Sequence, residues 1–132
     1  MKASLASIAV VGFGYRQAAT LASLTEVLSQ VESLYGRADR LAAPRSLWPL
    51  VHELGCKRNI TVIAVDDEAL PSVVTITASP YSVQARGTGS VAEATALLGA
   101  GNEANLLGPR LISADRSATA AMAKGCLKGE CA

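Results

Sequence analysis

Apolar positions in this chain fall into two kinds of pattern that take turns along it. Ser7-Ile8-Ala9-Val10-Val11 and Ile60-Thr61-Val62-Ile63-Ala64-Val65 are continuous, β-branched-rich runs without polar alternation. Runs of that kind predict strands buried on both faces, as in a mainly parallel sheet. Between them the apolar residues recur at helical spacing. Leu21, Leu24, Leu28, Val31 and Leu34 form one stripe, with Glu26, Gln30 and Glu32 largely off it. Thr20 is placed to cap that helix and Gly36 to end it. Weak alternation over 38–42 predicts a second strand. Leu47, Leu50, Val51 and Leu54 then predict a second helix from near Ser46, closed by Gly55, with Pro49 tolerated in its first turn.

The most clearly delimited element is a helix beginning after Ser90. Ser90 followed by Glu93 is a capping-box pattern, each side chain serving a first-turn amide. Val91, Ala94, Thr95 and Leu98 recur at helical spacing, and Gly99-Ala100-Gly101 supplies the stop. A short strand is predicted over 104–107, followed by Gly108-Pro109-Arg110 and Leu111-Ile112, and a last strand over 117–122. The order predicts a three-layer α/β/α fold, a mostly parallel (mixed) sheet with helices on both faces. Residues 1–123 read as a single domain and 124–132 as a flexible C-terminal tail.

Composition narrows the function classes. Half of the 132 residues are apolar but only 4% are aromatic, so Ala, Val, Leu and Ile must build the core. A net charge of +1 gives no electrostatic argument for nucleic acid or an anionic membrane. No apolar run approaches the roughly 20 residues that cross a bilayer, and no signal-peptide pattern precedes the first strand. A cytoplasmic location is expected. Three cysteines, Cys56, Cys126 and Cys131, do not read as a disulfide framework, and no metal site or cofactor is indicated. His52 is expected on a solvated helix face, and Trp48 as a partly buried packing residue or, alternatively, a ligand platform.

Candidate chemistry gathers at two glycine-containing stretches. The first strand is expected to end in a loop, Gly12-Phe13-Gly14-Tyr15-Arg16-Gln17, whose backbone could approach a ligand while Arg16 meets a carboxylate. The dinucleotide fingerprint is incomplete there, because Gln17 occupies the place of its third glycine. The second stretch is Gly87-Thr88-Gly89-Ser90, leading into a helix start that suits an anion. It follows a long connection, 73–86, of the kind that often carries binding. Arg86 and Arg110 are further carboxylate partners. Asp66-Asp67-Glu68 reads as an acidic first turn of a short helix, with a metal site as the alternative.

These segments together resemble the CobE proteins and the C-terminal domain of CbiG, from cobalamin biosynthesis. The likeness rests on three stretches in order: 10–16, 89–101 and 117–123, and it covers about residues 6 to 123. The length is that of the stand-alone CobE form. The resemblance implies a role in building the corrin ring, on tetrapyrrole intermediates that carry many carboxylates. CbiG is associated with opening a lactone and releasing acetaldehyde in the anaerobic route, whereas CobE belongs to the oxygen-dependent route. One departure stands out: the family often has a lysine and acidic residues before the second helix, where this chain has Leu41, Ala42, Ala43 and Pro44, then Arg45. Arg37, Asp39 or Arg40 are the stand-ins.

The preferred expectation is an accessory protein binding a corrinoid intermediate through Gly12, Phe13, Gly14, Tyr15, Arg16, Gly87, Thr88, Gly89, Ser90, Glu93 and Arg110. Another cobalamin-pathway enzyme is the alternative partner. A second hypothesis is a hydrolase acting on a precorrin lactone, with Glu93 and Ser90 as the reactive pair and helix-start amides holding an oxyanion. No histidine lies near Ser90 in sequence to activate it. A nucleotide-binding module at Gly12–Gly14 is the third.

Overall fold

The computed structural model describes residues 7–73, 75–76, 90–101 and 104–126. In chain order the elements are β1 (Ser7–Tyr15), α1 (Leu21–Tyr35), β2 (Arg40–Pro44), a 3-10 turn (Arg45–Leu47), α2 (Trp48–Arg58) and β3 (Val62–Val65). A second 3-10 segment (Asp67–Ser72) precedes α3 (Val91–Ala100), β4 (Asn105–Leu106), β5 (Leu111–Ile112) and β6 (Ala118–Cys126). The sheet runs β3-β2-β1-β6-β4, with β5 also on β6. β1, β2 and β3 pair in parallel, while β6 pairs antiparallel with β1, β4 and β5. Among the described strands, five therefore share one direction and β6 alone opposes them. The fold is the expected α/β type with a mixed sheet.

Helices cover both faces because the strands alternate their side chains. Ala9, Val11 and Phe13 of β1, Leu41 and Ala43 of β2, and Ala120 and Met122 of β6 meet Leu24, Val27, Leu28 and Val31 of α1 and Val51 and Leu54 of α2. On the opposite face Val10, Ala42 and Ala123 meet Ala94, Ala96 and Ala100 of α3. Gly12 also faces α3, so closely that a Cβ there would lie 2.5 Å from the Ala92 carbonyl oxygen and 2.8 Å from Ala96 Cα.

Several expectations are corrected. The expected loop Gly12–Gln17 is strand as far as Tyr15, and only residues 16–19 turn before the Thr20 cap. Its glycines serve the packing of α3 instead of freeing a loop. Gly55 does not close α2: the helix continues to Arg58 and stops at Asn59, in the left-handed conformation at φ 58°. Gly55 instead clears the Ile60 carbonyl, 2.8 Å from where its Cβ would stand. Leu34, expected on the buried stripe, is 63% exposed, while Val27 is buried in its place. The last strand continues through Lys124 and Gly125 to Cys126, so the chain is still paired where a tail was expected. Residues 127–132 lie outside the described residues. No helix among those described is long and apolar enough to cross a membrane.

Candidate functional site

In an open sheet of this type, ligands bind beyond the carboxyl ends of the parallel strands, where successive connections leave to opposite faces. Here that point is the end of β1, which has α1 on one side and α3 on the other. Tyr15 closes the strand and its hydroxyl donates to the Leu47 carbonyl, 2.8 Å away. Burial pushes the Tyr15 phenol above its usual range, opposed by a backbone hydrogen bond from Leu50. Arg16 follows on the surface, its amide donating to the Ser117 carbonyl at 2.8 Å. Gly14 brings the first turn of α3 in: a Cβ there would stand 3.1 Å from Val91 Cβ. The positive end of the α3 dipole is thus packed against the end of β1.

The α3 cap is half of the expected box. Ser90 Oγ accepts from the Glu93 amide at 3.3 Å. The Glu93 carboxylate, with no solvent exposure, goes elsewhere. It accepts from the Ile76 amide at 2.6 Å and from the Arg110 amide at 2.8 Å. Ile76 leads into the segment before α3, and Arg110 stands between β4 and β5, where the strand edge is interrupted. Glu93 therefore ties two connections, each 17 residues away, to the first turn of the helix. On the same helix Thr95 is fully buried, and its hydroxyl has no hydrogen-bond partner among the described residues.

Opposite α3, the β5–β6 turn adds a cluster that the sequence did not single out. Asp115 accepts from Ser113 Oγ (2.6 Å), Ser117 Oγ (2.7 Å) and Ser23 Oγ (2.7 Å), and from the Ser117 amide (3.1 Å). The hydroxyls of Ser113, Ser23 and Ser117, followed by the Ser117 amide, hold its carboxyl well below the usual carboxylate range. Ser23 in turn completes the Thr20 capping box of α1. The only sequence signal was the density of serine around Asp115. At the ends of β2 and β3, Arg45 pairs with Asp66 at 2.7 Å, and Ser46 donates through both its amide and its hydroxyl to Asp67. The acidic stretch is thus engaged with the β2 end, and no group of three or more metal-ligating side chains gathers among the described residues.

The structure therefore seats the α3 start on Gly14, one residue before Tyr15, whose own side chain turns to the α1/α2 face, and joins Ser90, Glu93 and Arg110 through the cap and the Glu93 carboxylate. It does not bring Gly12 or Phe13 to a surface: both are buried, and the Phe13 side chain has no exposure. Gly14, also buried, contributes by letting α3 approach. Asp39 does not reach this rim. Its carboxylate accepts from the Ala9 amide at 2.8 Å, near the amino end of β1. Six residues of strand, about 20 Å, separate Ala9 from Tyr15. Arg86 and Gly87, Thr88 and Gly89 lie outside the described residues.

The family model described as "Cobalamin synthesis G C-terminus" matches residues 9–123. The chain belongs to this family. Its domain is thus one of cobalamin biosynthesis, and solved structures agree. The crystal structure of CobE, a protein from the cobalamin (vitamin B12) biosynthetic pathway, superposes with a TM-score of 0.79 at 25% identity, covering 89% of this chain and 90% of that one. Cobalamin biosynthesis protein chiG from Agrobacterium tumefaciens gives 0.68 at 27% identity, over 88% and 97%. A cobalamin biosynthesis protein G homolog from Sulfolobus solfataricus shares the fold, with a TM-score of 0.70 at 18% identity over 36% of its own length. No curated protein sequence matches the chain.

Proposed function

We propose that this CobE/CbiG C-terminal-type domain binds and hands on a carboxylate-rich tetrapyrrole intermediate of corrin synthesis. The observation that carries the reading is the packing of the α3 start onto the end of β1, at Gly14 and Val91. That packing sets a helix's positive end beside the strand terminus from which Arg16 leaves. Peripheral carboxylates of a tetrapyrrole suit such a rim: a guanidinium offers paired donors, and the helix dipole favours negative charge. Arg110, whose amide is fixed by Glu93, is a second donor.

A hydrolase using Glu93 as base is less well supported. Both of its oxygens already accept backbone amides, which suits a residue that positions chain segments more than one that abstracts protons. The reading is tested by titrating the purified protein into hydrogenobyrinic acid and earlier precorrins while following tetrapyrrole absorption. Saturable spectral change that weakens in Arg16→Ala is expected. A change that proceeds with time and releases product would move the assignment to catalysis. No change with any intermediate would overturn it.

A further inference from the structure

The outer face of α2 holds a group of side chains that nothing above uses. Trp48, His52 and Cys56 recur every fourth residue and so share one face of the helix. The His52 ring lies on the Trp48 indole, with centroids 4.0 Å apart and planes 20° from parallel. This stacking fixes the imidazole edge toward the next turn, where Nε2 stands 3.7 Å from Cys56 Sγ. Both side chains open into a cleft of about 370 Å³ beside edge strand β3, which Asn59 and Thr61 also line.

We propose that His52 and Cys56 form a two-ligand site for a thiophilic divalent cation such as Zn²⁺. The separation carries the argument. Zinc bonds of about 2.05 Å to nitrogen and about 2.3 Å to sulfur, at a tetrahedral angle of about 109°, set the donors about 3.6 Å apart. The observed 3.7 Å is that bite, reached without moving the backbone. Cys56 is a free, exposed thiol, so a metal can reach it. Two protein ligands are one fewer than open zinc sites keep, so water or a small ligand in the cleft completes the tetrahedron. Binding takes the thiolate and the neutral imidazole, so the thiol proton leaves to solvent as the sulfur–metal bond forms.

A plain thiol–imidazole hydrogen bond would give a similar separation, and the experiment must tell the two apart. Trp48 is the sole tryptophan, and its stacking on the ligating ring makes its emission a local reporter. The full chain, reduced, is titrated with Co²⁺ and then with Zn²⁺. One equivalent of Co²⁺ should produce a sulfur-to-cobalt charge-transfer band together with a change in tryptophan emission, and Zn²⁺ should abolish the band by displacing the cobalt. Cys56→Ser should lose the band and His52→Gln the emission response, while Cys126→Ser/Cys131→Ser keeps both. Melting curves establish that the variants are folded, which their exposed positions favour. Absence of both signals in the wild type, or a band that survives Cys56→Ser, overturns the site.

Discussion

The two faces of the sheet are packed by opposite means. Toward α1 and α2 the filling is done by large side chains, with Phe13, Leu24, Leu28, Leu41 and Met122 fully buried. Toward α3 the side chains are mostly small, and glycines let backbones meet. Gly12 lies under Ala92 and Ala96, Gly99 faces Ala42, and Gly125 faces Ala100. One layer is held apart by its residues, whereas the other is drawn together until backbone touches backbone. Close approach has a functional consequence, because it seats the start of α3 at the end of β1. The lesson is that glycine after a buried strand run can signal a helix lying close above it as readily as a ligand loop.

Neighbouring residues allow the sharpest test of this contrast. Phe13→Ala removes atoms from the layer built on volume and should cost about 4 kcal/mol in denaturant unfolding. Gly12→Ala adds one methyl where the α3 backbone already stands and should cost about 3 kcal/mol through overpacking. Alanine thus fails at both positions, for opposite reasons. A neutral Gly12→Ala would break the comparison. Next in size is Glu93→Gln, whose amide group turns a donor toward one of two donating amides, at about 2 kcal/mol of stability. Stability unchanged in that variant would release Glu93 for a chemical role.

The smallest expected effect concerns pH. Because the serine cluster lowers the Asp115 pKa in the folded state, its contribution is present above the unfolded value of about 3.9 and is lost as pH falls through the folded value. Asp115→Asn should therefore differ most from the wild type at neutral pH, with the two stability curves converging in acid. Curves that stay parallel into acid would remove the linkage.

Local patterns were legible where a single segment decides the outcome. The first strand, the α1 helix with its Thr20 and Gly36 boundaries, and the Ser90 half of the α3 cap appear where the chain spells them. The misses are places where distant segments decide. Gly12 reads as a loop residue until α3, some 80 residues later, is laid over it. Gly55 reads as a stop until Ile60 folds back beside it. Glu93 satisfies a capping pattern on paper, yet its carboxylate is taken by Ile76 and Arg110 from either side of the helix. The serines around Asp115 come from α1 as well as from its own turn, so no single window contains the cluster.

The proposed binding lies at the rim where β1 ends and α3 begins, and hydrogen exchange with and without a bound corrin precursor addresses it directly. Added ligand should slow exchange at Arg16, Gln17 and the first turn of α3, leaving the outer faces of α1 and α2 unchanged. Protection concentrated on α1 or α2, with the rim unaffected, would contradict it.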